Sequence, residues 1–134
     1  MRKIALVFLS VFILCCTTYL VKAESAKSSH KYLTYEQVIK QDKPAVILFE
    51  SNNCSFCVQF APIYKALSEE FQEKFAFGRV DVYKSKYEQL CENLNIETIP
   101  MIYVYNPRLQ SFSPIPQYFY GKNSLRKILT EYHG

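Results

Sequence analysis

The chain has 134 residues, a length that holds one domain and little else. Its 16 Lys and Arg outnumber 12 Asp and Glu, for a formal net charge of +4. Three of the bases (Arg2, Lys3 and Lys22) lie in the first 23 residues. That leaves 13 against 12 beyond them, and no clustered basic face of the kind a nucleic acid needs.

Residues 1–23 read as an export signal. They have a basic start, an apolar stretch from Ile4 to Val21, and Val21-Lys22-Ala23 as a small-residue cleavage site. The apolar run is also close to the length of a membrane span. The segment is therefore either removed or kept as an anchor, and membrane contact is expected only through it. Cys15 and Cys16 belong to that run. Either way the domain is expected outside the cytosol, periplasmic or extracellular, where disulfides form and persist. Residues 24–33 form a polar spacer, and residues 34–134 the domain.

Thr34-Tyr35-Glu36-Gln37 has the form of a capping box and opens a short helix to about Gln41. Asp42-Lys43-Pro44 ends it. Ala45-Val46-Ile47-Leu48-Phe49 is a continuous apolar run, the mark of a strand buried on both faces. Glu50-Ser51-Asn52-Asn53-Cys54-Ser55-Phe56-Cys57 follows. Val58, Phe60, Ala61, Ile63, Tyr64, Leu67 and Phe71 then recur at helical spacing, with Pro62 inside the pattern. The two cysteines thus stand where a strand hands over to a helix N-terminus. There the free N–H groups and the helix dipole favour a thiolate.

Residues 75–82 predict a second strand, parallel to the first because a helix joins them. Ser85-Lys86-Tyr87-Glu88 is a second capping-box pattern, opening a helix to about Leu94 with Asn95 as a left-handed stop. Cys91 lies on that helix and reads as a small apolar core residue. After Ile99-Pro100 comes a third strand, Met101-Ile102-Tyr103-Val104-Tyr105, rich in β-branched and aromatic residues. Residues 106–116 read as a long proline-containing connection, and Gln117-Tyr118-Phe119-Tyr120 as a fourth strand ended by Gly121. Asn123 is expected to cap a last amphipathic helix carrying Leu125, Ile128 and Leu129. This order predicts an α/β fold, a mixed four-stranded sheet with helices on both faces.

Four of these features together resemble the thioredoxin fold, and specifically the thioredoxin-like disulfide oxidoreductases, over residues 34–132. They are Cys-x-x-Cys after the first core strand, Pro62 five residues after the second cysteine, Ile99-Pro100 before the third strand, and Gly121 between last strand and last helix. The resemblance implies a sheet of two parallel strands plus an antiparallel hairpin. It implies a cis-proline at Pro100 and an Ile99 backbone that pairs with an extended substrate, making Ile99 and Pro100 substrate-binding. It also implies Cys54 as nucleophile, Cys57 as resolving cysteine and the two as a redox-active disulfide. The sequence departs from the family at Asn53, where Trp is usual, and at Leu48, where a buried acid is common. Glu50 shares a strand face with Leu48 and is the candidate proton acceptor for Cys57. Arg79 stands where relatives often place a lysine and is read as pairing with a surface acid.

The expected function is an exported thiol–disulfide oxidoreductase that exchanges disulfides with protein or peptide substrates, with the reductase or isomerase direction favoured. No cofactor is expected. A membrane-bound electron donor is the expected partner. A metal site is not expected, since His30 and His133 lie near the termini and no second Cys or His pair follows. The alternative is a binding or chaperone-like module of the same fold with no redox turnover.

Overall fold

The computed structural model describes residues 31–134. The export segment, Cys15, Cys16, His30 and most of the polar spacer lie outside the described residues. Leu33 is tied to the sheet edge: its N–H donates to the Phe77 carbonyl at 2.9 Å, and its carbonyl accepts from Arg79 N at 3.0 Å. Thr34 then caps α1 (Tyr35–Val38), with both halves of the capping box made. The helix is shorter than the expected run to Gln41.

The sheet contains β1 (Ala45–Glu50), β2 (Ala76–Asp81), β3 (Met101–Asn106) and β4 (Ser111–Ile115), in the order β2-β1-β3-β4. β1 and β2 are parallel, while β1–β3 and β3–β4 are antiparallel. This is the expected pair of parallel strands plus an antiparallel hairpin. The first pair is joined by α2 (Ser55–Phe71), which runs as one helix through Pro62. A 3₁₀ turn (Ser85–Tyr87) and α3 (Glu88–Asn93) lead to β3. A second 3₁₀ turn (Gln117–Phe119) and α4 (Lys122–Glu131) close the chain.

Side-chain alternation along β1 divides the core in two. Val46 and Leu48 pack with Phe60, Tyr64 and Leu67 of α2 and with Leu125 and Leu129 of α4. Ala45, Ile47 and Phe49 pack with Val38 of α1, while Leu90 and Cys91 of α3 lie against the same cluster. Helices thus cover both faces. Val58 is an exception to the expected apolar stripe of α2, at 62 % exposed. At the α1 crossing, a Cβ on Gly78 would run into the Val38 side chain and stand 3.1 Å from the Leu33 carbonyl. That close approach is why glycine sits there.

Three local expectations are corrected. The fourth strand lies at Ser111–Ile115, inside what reads as a connection, and Gln117 to Phe119 form the 3₁₀ turn instead. Pro114 argues against a strand in sequence, but β4 is an edge strand, where proline's missing N–H is tolerated. The turn between β3 and β4 is therefore tight, with Gln110 at φ 49°. Ser85 forms no capping box, because it is already inside the 3₁₀ turn and neither Lys84 nor Tyr87 caps with its side chain. Gly121 is the N-cap of α4; Asn123 lies within the helix and accepts from Arg126 Nη1 at 3.3 Å. Asn95 does take the left-handed conformation, at φ 51°.

Candidate functional site

β1 ends at Glu50, and the chain turns through Ser51, which is buried. The Ser51 carbonyl accepts from Cys54 N at 3.2 Å, and its hydroxyl accepts from Asn53 N at 3.3 Å. This short turn sets Cys54 at the N-cap of α2 in extended conformation. Ser, Thr, Asn or Asp usually fills that role. Here a sulfur does so, with Cys54 Sγ accepting from Cys57 N at 3.1 Å. The two cysteines form a disulfide, with Cα atoms 5.2 Å apart. Cys57 is buried and Cys54 half-buried, so one sulfur faces outward and the other lies under the helix. The N–H aimed at Cys54 Sγ and the positive end of the helix dipole both stabilise negative charge on that sulfur.

The Ile99–Pro100 peptide bond is cis. The Ile99 carbonyl oxygen lies 3.8 Å from Cys54 Sγ. Although far apart in sequence, Cys54 and Cys57, which follow β1, and Ile99 and Pro100, which precede β3, meet at one end of the two central strands. Beside them runs an open groove of about 580 Å³, lined among others by Phe56, Phe60, Ile63, Pro100, Gln117 and Tyr120, with no charged side chain in its wall. Phe56, between the cysteines, is 69 % exposed. The Tyr120 hydroxyl accepts from Ile102 N at 2.5 Å, and burial pushes its own pKa up to about 12.

Glu50 is buried and forms a salt bridge with Arg79 of β2. The Arg79 guanidinium also lies over the Tyr32 ring, 5.1 Å from its centroid. This corrects the expectation of a surface partner for Arg79. Strand alternation puts Glu50 on the sheet face that α2 covers, in line with Val46 and Leu48. Nearby, the Tyr64 hydroxyl sits between the carbonyls of Val46 (2.9 Å) and Gly78 (2.7 Å), and burial raises its pKa well above the usual tyrosine value.

Cys91 is remote from this cluster, on the opposite face of the sheet, and burial raises its thiol pKa. No group of three His, Cys, Asp or Glu side chains is placed to hold a metal ion among the described residues, and none of their helices is long and apolar enough to cross a membrane.

Gln117 is the residue that sequence reasoning missed. Its side-chain amide donates to the Pro100 carbonyl at 3.0 Å and to Thr98 Oγ1 at 3.1 Å. Read as part of a strand, it had no reason to face the Ile99–Pro100 loop. The signal that was present is Pro116, which removes a backbone donor just where strand pairing would have to continue.

Comparison with known proteins agrees with this geometry. Residues 26–130 match the family model described as Thioredoxin. Thioredoxin domain-containing protein 8 of Homo sapiens is 30 % identical over 96 residues, which cover 69 % of this chain and 73 % of that protein. A chloroplastic thioredoxin-like protein of Arabidopsis thaliana is 29 % identical over 68 residues, or 51 % of this chain. The match spans only 26 % of the plant protein's length. The solved structure of the first two thioredoxin domains of Saccharomyces cerevisiae Eps1p is 27 % identical, with a TM-score of 0.58, covering 74 % of this chain and 39 % of that one. A Cys-x-x-Cys pair at a helix N-terminus, opposite the Ile99–Pro100 loop of a β2-β1-β3-β4 sheet, together with a family match over most of its length, establishes that this chain belongs to the thioredoxin family.

Proposed function

We propose that the chain is an exported thiol–disulfide oxidoreductase acting on protein or peptide disulfides. The observation that carries this reading is the placement of Cys54: its sulfur caps α2 and lies 3.8 Å from the Ile99 carbonyl, beside an uncharged groove. A purely structural role fits poorly, because a bridge that closes so short a loop removes little chain entropy.

In the reducing direction both cysteines start as thiols. The Cys54 thiolate attacks one sulfur of the substrate disulfide, which forms a mixed disulfide and releases the other substrate sulfur as a thiolate. Cys57 loses its proton and attacks Cys54 Sγ. That closes the Cys54–Cys57 disulfide and frees the second substrate thiolate. The substrate gains two electrons and two protons, and the protein loses the same. Glu50, buried on the face under α2, is the proposed acceptor for the Cys57 proton, with Arg79 as its counter-charge. Ile99 and Pro100 receive the substrate backbone.

Regeneration of the dithiol requires an outside reductant, and a membrane-bound electron donor is the proposed partner for a domain outside the cytosol. Export to a periplasmic or extracellular space rests on the character of residues 1–23. The chloroplastic address in the plant relative's name is compatible with a location outside the cytosol. Reduction of insulin in the presence of dithiothreitol tests the reading. Turnover that vanishes in Cys54→Ser is the expected result, and a wild-type chain that leaves insulin intact would overturn it.

A further inference from the structure

We propose that Gln117 is a positioning residue that clamps the Thr98–Pro100 loop in the shape that receives substrate, an inference that rests on the function proposed above. The β3–β4 register pairs Ile102 with Ile115. Continued two residues outward, it sets Pro100 opposite Gln117. A backbone ladder cannot continue there, because Pro116 has no N–H and the chain has already entered the 3₁₀ turn. The Pro100 carbonyl is taken instead by the Gln117 side chain, at 3.0 Å. The second N–H of the same amide donates to Thr98 Oγ1 at 3.1 Å.

One planar amide thus holds the residues on both sides of Ile99, whose carbonyl faces Cys54 Sγ. With both donors turned inward, the amide oxygen is left as an acceptor on a residue that lines the groove beside the disulfide. Gln117 itself is exposed and contributes nothing to the buried core. Its two hydrogen bonds therefore have one evident effect: they restrict a loop that would otherwise be held on its β4 side by no backbone bond. A loop that must be ordered on binding lowers affinity, whereas one held in advance does not. The clamp acts on substrate recognition and leaves the sulfur chemistry alone.

The test is insulin reduction by the full chain with dithiothreitol, resolved into kcat and KM. Gln117→Met keeps the length of the side chain and removes both donors. It is expected to raise KM about fivefold, the scale of a neutral hydrogen bond, with kcat within about twofold. Gln117→Lys restores donors and should recover at least half of that loss. Unchanged KM in Gln117→Met overturns the clamp. So does a fall in kcat that tracks a lowered melting temperature, which would mark a general structural role. Absence of insulin reduction by the wild type would overturn the function beneath it.

Discussion

Glu50 and Arg79 form a salt bridge between neighbouring strands although they are not opposite one another in the sheet. The register sets Leu48 against Arg79 and Glu50 against Asp81, so the pair is diagonal. The two side chains reach across the face that α2 covers. Where the family commonly places a buried acid, this chain has Leu48, and the carboxylate enters two residues later on the same face. The base, Arg79, stays opposite Leu48, and only the acid is displaced, toward the end of β1.

Glu50→Gln should separate the two roles of this pair. Arg79 loses its counter-ion, but its side chain is 36 % exposed, so water offsets much of the loss. The expected destabilisation is ~1–2 kcal/mol, below the figure for a fully buried pair. That is a fall of about 5–10 °C in melting temperature for a domain of this size. If Glu50 accepts the Cys57 proton, the resolving step should also slow, and mixed disulfide should accumulate during insulin reduction between pH 6 and 8. Exchange that proceeds at the wild-type rate across that range would remove Glu50 from the proton path and leave it a structural ion.

The division of labour between the cysteines gives a covalent test. Cys57 is buried and Cys54 half-buried, so Cys57→Ser should leave an attacking sulfur with no resolving one. The variant is expected to retain substrate as a mixed disulfide, visible as a band on a non-reducing gel that dithiothreitol removes. Cys54→Ser should trap at most a small fraction of that amount. Equal trapping by both variants would contradict the assignment of Cys54 as nucleophile.

Much of this site is legible in the sequence because it depends on local chemistry. A strand, a cysteine at a helix start and Ile99-Pro100 before a strand are set by apolar runs, spacing and proline. The parallel pairing of β1 with β2 and a core on both faces of the sheet follow from the same patterns. The antiparallel hairpin follows from the resemblance to the thioredoxin fold, and the order β2-β1-β3-β4 from the structure. The features that were not legible depend on tertiary context. Pro114 breaks an interior strand but is tolerated in β4 because β4 is an edge. That displacement hid Gln117, whose role depends on what lies across the hairpin. Arg79 likewise reads as a surface base until β1 and β2 come together and bring Glu50 within reach.

Gly78 marks a close approach of α1 to the sheet. A side chain there would collide with Val38 and crowd the Leu33 carbonyl. Gly78→Val should therefore push α1 off β2 and cost ~2–3 kcal/mol, in the range of overpacked cores. The measurement is the urea midpoint, expected to fall with little change in slope. An unchanged midpoint would mean that α1 shifts without penalty. Gly121→Ala is the control, since the space around that residue is open apart from Ser124 Oγ at 3.9 Å.

The same α1 supplies a pH-dependent term. Glu36 hydrogen-bonds its own backbone N–H and pairs with Lys86 at 3.0 Å, which together hold its carboxyl pKa down at about 2, below the usual 4.5. Tyr87 also donates to it, at 3.1 Å. A folded pKa below the unfolded one means that the unfolded chain binds the proton first as pH falls. The contribution of Glu36 is therefore complete above about pH 4.5 and is lost progressively toward pH 2. Glu36→Gln should flatten the stability curve in that window. Above it the variant should be the less stable of the two proteins, and near pH 2 the curves should converge. The carboxylate is exposed, so 0.5 M salt should narrow the gap. Parallel curves for wild type and Glu36→Gln between pH 2 and 5 would show that the carboxylate titrates alike in folded and unfolded chains, and that the contacts with Lys86 and Tyr87 carry no charge-dependent stability.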